Sequence, residues 1–249
     1  MLLRTTDDGR AMITLVGVGH VFQISAQVRR VIYEKRANAV CVELDPRRYR
    51  ALIQEGQGAK LPASYRLLSM FQKRLARQFG SEVGQEMISA VDTAKEMGVD
   101  TIFIDVDAGS MFNNLWRQMP LKEKVRLFLS GFISLFTSKD KVEKELESFQ
   151  ENEEAYMSAF EHHMPTLKKV LIDDRNRLMA SRIEMADDRY GNVVAIIGDG
   201  HVEGIRKLLE GREVQVTRLS ELRTMEPLAD DPEKGTGEVT FTFTTQFEE

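Results

Sequence analysis

The chain has 249 residues, of which 42% are hydrophobic and 29% are charged, and its formal net charge is −5. This composition is typical of a folded globular protein and excludes collagen-like, low-complexity and largely disordered chains. A mildly acidic chain is a poor general binder of nucleic acid, so we expect no nucleic-acid partner. The single cysteine, Cys41, excludes an internal disulfide framework and a cysteine-based zinc site.

Neither a secretory signal nor a membrane span is predicted. The N-terminal sequence MLLRTTDDGR has two leucines that are soon followed by acidic residues. The uncharged run at residues 127–137 is shorter than the roughly 20 apolar residues that cross a bilayer. We therefore expect a cytoplasmic protein. We favour a core or homodimer helix for this run over peripheral contact with a membrane surface.

Five short apolar segments predict the strands of a mostly parallel central sheet. Because they are almost continuously hydrophobic and do not alternate, we expect them to be buried on both faces by flanking helices. Amphipathic helical patterns follow the first strand and precede the third, so the order of elements predicts an α/β fold. The predicted strands are Met12–Gly17, Ala39–Leu44, Thr101–Asp105, Val193–Gly198 and Val214–Thr217.

A large insertion of mostly helical pattern separates the third and fourth predicted strands. We interpret residues 109–188 as a helical cap over the sheet, within one α/β domain that covers residues 1–225. For residues 226–249 we expect a loop followed by a strand. In this tail Val239, Phe241 and Phe243 alternate with threonines, which predicts a C-terminal strand at a sheet edge.

Two of the four histidines occupy matching positions after predicted strands. His20 ends the sequence GVGH after the first strand, and His201 ends the sequence GDGH after the fourth. Because parallel strands present their carboxyl ends at one edge of the sheet, both histidines should reach the same crevice. Neither turn matches the GxGxxG pattern or carries the lysine of a P-loop, so phosphate binding is not favoured.

Glu43, near the end of the second predicted strand, is the acidic residue that would complete this site. A buried carboxylate is unfavourable unless it is paired or bound to a metal. We expect its strand to neighbour the first, which would bring Glu43 to both histidines. Two imidazoles and a carboxylate are the ligand set of an open zinc-type site that activates water. A metal-free site, with a histidine as general base, and a helix-capping role for Glu43 remain alternatives.

Other charged residues are further candidates for the site. Arg175 interrupts an apolar ridge of a predicted helix, so either its stem packs there or its guanidinium enters the cleft to hold a carboxylate or an oxyanion. Asp174 lies beside it, and Glu86 borders the apolar face of another helix. Asp105 and Asp107 follow the third strand, where capping of the next helix is favoured over a role in the site.

Five segments spread over residues 12–222 form a combined pattern: TLVGVGHV, AVCVELDPRRYRAL, GQEMISAVDTAKEMGVDTIFIDVD, LIDDRNRLMA and IIGDGHVEGI. Together they resemble the TraB/PrgY (pheromone shutdown) family, which is related to the Tiki proteases and to erythromycin-esterase-like proteins. The resemblance implies that His20, Glu43 and His201 occupy the family's active-site positions and that Arg175 has a role there.

The same resemblance implies an activity. Tiki proteins look like metal-dependent peptidases and PrgY limits peptide pheromones, so we expect a metal-dependent hydrolase of peptides or another small-molecule substrate. A divalent ion, Zn²⁺ or Mn²⁺, would be held by His20, Glu43 and His201. The esterase-like relatives imply that the constellation can also work without metal. PrgY-like action could instead capture a ligand without turnover. Many relatives carry C-terminal membrane helices, whereas this chain ends in a polar loop and a Thr/Phe strand.

Overall fold

The structure, a computed structural model, describes residues 12–19, 22–53, 84–126, 158 and 161–227. Within these residues the strands form one all-parallel sheet, which confirms the predicted α/β fold and its central sheet. The strands are β1 Met12–Val18, β2 Ala39–Val42, β3 Asp100–Phe103, β4 Asn192–Gly198 and β5 Val214–Thr217. Each begins within one residue of its prediction, and β2 and β3 end two residues early.

Helices connect the strands and cover the sheet. A π-helical segment, Lys169–Asp173, joins two of them into one continuous helical rod. Residues 121–126 and 161–163 are also helical. The helices with defined bounds are α1 Ser25–Glu34, α2 Pro46–Ile53, α3 Gln85–Glu96, α4 Ala108–Gln118, α5 Pro165–Lys168, α6 Asp174–Tyr190, α7 Asp199–Leu208 and α8 Leu219–Thr224.

Both faces of the sheet are buried, which explains the continuous hydrophobicity of its strands. Because side chains alternate along a strand, Val194 and Ile196 of β4 join the core formed with α1 and α3. Val193, Ala195 and Ile197 join the opposite core, formed with α6 and α7. Successive residues of β4 therefore face opposite helix layers, and all residues from Asn192 to Ile197 are buried.

The strand order is β3-β2-β4-β1-β5, so the expectation that the second strand neighbours the first is wrong. β4 lies between them and pairs with both, since Ile196 is in register with Val16 of β1 and with Val42 of β2. Hydrophobic patterning predicts that a strand is buried but does not say which neighbours it has. The central position of β4 brings the GDGH turn next to the end of β2.

The described part of the insertion between β3 and β4 is helical. A small third core, which includes Leu115 of α4 and Leu167 of α5, packs these helices together. The cap over residues 109–188 and the domain boundary at residue 225 stay predictions. The apolar run at residues 127–137 and the predicted strand at residues 239–243 lie outside the described residues. None of the described helices has the length and hydrophobicity to cross a bilayer.

Candidate functional site

Glu43 directly follows β2 and is fixed at the carboxyl edge of the sheet. Its backbone N–H donates to the carbonyl of Ile196 at 3.0 Å, which extends the pairing of β2 with β4. Its side-chain Oε2 accepts a hydrogen bond from the backbone N–H of Gly198 at 2.5 Å. A Cβ at position 198 would lie 3.3 Å from that oxygen, which is a tight contact, so the carboxylate packs closely against this glycine. Glu43 is therefore buried and anchored to the central strand.

Arg175 reaches this carboxylate from the beginning of α6. The preceding segment is π-helical, and such wide turns are frequent at functional sites. Nη1 of Arg175 donates to the carbonyl of Leu171 in that segment at 3.2 Å, and Nη2 donates to Oε1 of Glu43. The guanidinium therefore points across the sheet edge and not to solvent, with only 13% of the side chain exposed.

Asp105, two residues beyond β3, is the second carboxylate bound by Arg175. The guanidinium donates to both of its oxygens, and Arg48 of α2 donates to Oδ2 at 3.1 Å. The preference for Asp105 as a helix cap is thus wrong. Asp107 is the N-cap of α4 and accepts from the backbone N–H of Ser110 at 2.9 Å. Asp105 lies too far before the first residue of α4 to cap that helix. Its side chain instead joins Glu43, Arg175 and Arg48 in a buried charged cluster.

The charges in this cluster stabilise one another. Burial by itself would lower the pKa of the Arg175 guanidinium, but the charges and hydrogen bonds of Glu43 and Asp105 outweigh burial and raise this pKa above its ordinary value. Arg175 is therefore a permanent cation at every pH at which the protein is folded. Among the described residues, two buried carboxylates face two arginines, Arg175 and Arg48, so the formal charges of these four groups balance.

His201, the third residue of α7, completes the described part of the site. Its Nε2 lies 3.2 Å from Nη1 of Arg175 and 3.6 Å from Oε1 of Glu43. Its Nδ1 lies 2.6 Å from Oδ1 of Asn176. The imidazole is buried between α6 and the end of β2, with one ring nitrogen facing the charged groups and the other facing an amide.

Asn176 is a site residue that the sequence reasoning missed. A signal was available, because Met179, Ala180 and Ile183 follow it at spacings of three, four and seven residues. That spacing places Asn176 on the buried face of its helix, where an amide needs a hydrogen-bonding partner. The structure supplies that partner in His201.

One secondary candidate, Asp174, lies outside the cluster, and a place in the site for the other, Glu86, stays a prediction. Asp174 precedes Arg175 by one residue, and this step of about 100° around the helix points it away from the cluster. Its side chain is 37% exposed and pairs with Lys169 and Arg177. Glu86 is buried in the first turn of α3, a helix that packs on the opposite face of the sheet from α6.

His20 follows β1 by two residues and lies outside the described residues, so its place in the site stays a prediction. β1 ends at Val18, which is in register with Gly198 at the beginning of the GDGH turn. Position 20 therefore follows the strand that borders β4 on the side opposite β2.

The described donors do not fit a divalent ion in this arrangement. No group of three His, Cys, Asp or Glu side chains among the described residues is placed to hold one. Oε1 of Glu43 and Nε2 of His201 are close enough to share an ion, but the guanidinium of Arg175 contacts both atoms. A fixed cation thus takes the position that a metal ion would need.

Comparisons with known proteins agree with the resemblance seen in the motifs. The model of the TraB/PrgY/gumN family matches residues 1–218. An uncharacterized protein of Methanocaldococcus jannaschii is 29% identical over 229 residues, which cover 85% of this chain and 57% of that protein. The chain thus spans less than two thirds of the length of this curated relative.

Proposed function

The chain belongs to the TraB/PrgY/gumN family, and on that premise we propose that the cluster is the centre of a hydrolase that acts on peptides. The observation that carries the proposal is the position of Nε2 of His201. This nitrogen lies 3.2 Å from a guanidinium nitrogen and 3.6 Å from a carboxylate oxygen. It also lies at the carboxyl edge of a parallel sheet, where α/β folds bind their ligands.

Arg175 supplies the positive charge that polarises the carbonyl group of the substrate. In the resting site its Nη1 donates to Nε2 of His201. A substrate carbonyl oxygen that takes over this donor receives a charged hydrogen bond, which strengthens as negative charge develops on the oxygen. The same exchange releases the lone pair of Nε2. Because Asp105 and Glu43 hold the rest of the guanidinium, it needs no reorganisation during the reaction.

His201 then acts as the general base. Nε2 takes a proton from a water molecule, and the oxygen of that water bonds to the carbonyl carbon of the substrate. When the carbon–nitrogen bond breaks, the proton on Nε2 passes to the leaving amine, and the products are an amine and a carboxylic acid, which releases its proton to water. Glu43, with Oε1 at 3.6 Å, stabilises the transient imidazolium.

A metal-dependent version of this hydrolase is the second candidate. It is favoured by the hydrogen bond between Nδ1 of His201 and the amide oxygen of Asn176, since metal-ligating histidines usually bond an oxygen through their second nitrogen. In that version His201, Glu43 and the predicted ligand His20 would hold Zn²⁺ or Mn²⁺, and the ion would supply activation of a water molecule.

The test is cleavage of a peptide library by the full chain, with products identified by mass spectrometry. Protein treated with EDTA and dialysed should cleave peptides, and His201→Gln should lower the rate by about 100-fold or more. His162→Gln is the matched control, because His162 is exposed, and it should retain the rate of the unmodified chain.

Each other outcome has a distinct meaning. Cleavage that appears only after Zn²⁺ or Mn²⁺ is added supports the metal-dependent version. Saturable binding of peptides that stay intact indicates capture without turnover. A rate that is unchanged in His201→Gln rejects this site as the centre of hydrolysis.

A further inference from the structure

Asn176 of α6 and Gly204 of α7 meet behind His201. Oδ1 of Asn176 lies 2.6 Å from Nδ1 of His201, and the asparagine is only 5% exposed. A Cβ built on Gly204 would lie 2.2 Å from Nδ2 of Asn176, far inside van der Waals contact. The missing side chain at position 204 is therefore what admits the amide between the two helices.

The neighbours of the imidazole determine which nitrogen carries the proton. Nε2 faces Nη1 of Arg175 at 3.2 Å, and a guanidinium has only hydrogen-bond donors. Oε1 of Glu43 lies 3.6 Å from Nε2, which is beyond hydrogen-bonding distance. Nε2 is then the acceptor in its contact with Arg175, so the neutral ring carries its proton on Nδ1. That N–H needs an acceptor, and Oδ1 of Asn176 lies at hydrogen-bonding distance. Both sides of the ring thus specify the same tautomer.

We infer that Asn176, admitted by Gly204, is a positioning residue that holds His201 in the Nδ1–H tautomer and directs the lone pair of Nε2 into the site. The inference rests on the proposed function for the use of that lone pair as a base. The tautomer itself does not depend on any activity.

The choice of an amide has a chemical consequence. A carboxylate at position 176 would also accept from Nδ1, but its charge would stabilise the imidazolium and make the base harder to deprotonate. A neutral amide orients the ring without this effect. Exchange of the amide for a carboxylate should preserve the tautomer, because a carboxylate oxygen still accepts from Nδ1.

The test is ¹⁵N NMR of the imidazole nitrogens in histidine-labelled full-length protein, with the His201 signals assigned by their loss in His201→Gln. The unmodified chain should show the proton on Nδ1. Asn176→Ala should reduce the population of that tautomer, whereas Asn176→Asp should keep it. A proton on Nε2 in the unmodified chain would overturn the inference without any variant, and so would an Asn176→Ala spectrum that is unchanged.

Gly204 offers an independent variant. Gly204→Ala should displace the amide and reproduce the Asn176→Ala spectrum. The double variant should be no further changed, because the shortened side chain at position 176 leaves room for the added methyl group. Gly109→Ala is the matched control, since among the described residues a Cβ there meets Oδ1 of Asp107 at an ordinary contact distance of 3.5 Å. A Gly204→Ala spectrum identical to that of the unmodified chain would contradict the role of Gly204 and the inference with it.

The two hypotheses can fail separately. If no peptide is cleaved but the Nδ1–H tautomer depends on Asn176, the positioning role stands and the hydrolase proposal fails. If cleavage depends on His201 while its tautomer is insensitive to Asn176, the hydrolase proposal stands and the positioning role fails.

Discussion

Arg175 donates to both carboxylate oxygens of Asp105, from Nε to Oδ1 and from Nη2 to Oδ2, at 2.9 Å in each case. This bidentate ion pair ties the beginning of α6 to the segment that follows β3. Only 13% of the Arg175 side chain and 2% of the Asp105 side chain are exposed. Removal of one partner of such a buried pair strongly destabilises the fold, because the other partner is left as an uncompensated buried charge.

We therefore predict that Arg175→Met lowers the free energy of unfolding by about 3–5 kcal/mol. Two buried carboxylates, Glu43 and Asp105, would lose their shared counter-charge. Urea denaturation followed by circular dichroism measures the change. The control is Arg177→Met on the same helix, which removes an exposed ion pair with Asp174 and should stay within about 0.5 kcal/mol of the unmodified chain. Equal losses in the two variants would show that the buried cluster does not stabilise the fold.

A second prediction concerns Gly17 in β1. A Cβ there would lie 2.1 Å from Oδ1 of Asp199, the oxygen that accepts from the backbone N–H of Leu219 at 2.8 Å. Gly17→Ala should displace this carboxylate and lower the free energy of unfolding by about 1–3 kcal/mol. The measurement is again urea denaturation.

The matched control for Gly17→Ala is Gly109→Ala. Within the part of the chain that the structure describes, a Cβ at position 109 meets Oδ1 of Asp107 at 3.5 Å, and alanine is a better helix former than glycine. This variant should be neutral or slightly stabilising. A Gly17→Ala variant as stable as the unmodified chain would mean that Asp199 does not hold α7 against the N-terminus of α8.

A third prediction concerns the thiol of Cys41, which is fully buried in β2. Burial raises the pKa of this thiol to about 12. Because the thiolate is the reactive form, iodoacetamide at pH 8 should not label the native protein but should label it once in urea. Labelling is read by mass spectrometry, and labelling of the native chain at the rate of the unfolded one would contradict the buried position.

The same shift predicts an alkaline dependence of stability. The pKa of Cys41 is higher in the folded chain than in the unfolded chain, where it is about 8.5. Its contribution is therefore complete below about pH 8.5 and is lost as the pH rises towards 12. Cys41→Ala should flatten the decline of the unfolding free energy over this interval. Tyr190, whose pKa is also raised to about 12, should leave a residual slope.

Much of the fold could be predicted from local sequence because the strands are buried on both faces. Continuous apolar runs such as those of β1 and β4 pack against the helix layers on both faces of the sheet. The sequence therefore shows where these strands lie even when their neighbouring strands are unknown. The placement of Glu43 and His201 at one sheet edge follows from the same reasoning, because all strands of a parallel sheet end on the same side. The order of the strands could not be predicted in this way, because the backbone N–H and C=O groups of a strand can pair with those of any other apolar strand.

The amino-acid sequence by itself determined the family, the parallel sheet and the edge at which Glu43 and His201 lie. Only the tertiary structure decided that β4 separates β1 from β2, that Arg175 joins Asp105 to Glu43, and that Asn176 holds the far side of His201. The physical reason is that hydrophobic periodicity is a property of residues that are close together in the chain. The pairing of a buried charge or amide, in contrast, is decided between segments far apart in the chain, by which polar atoms come within about 3 Å once the core has packed.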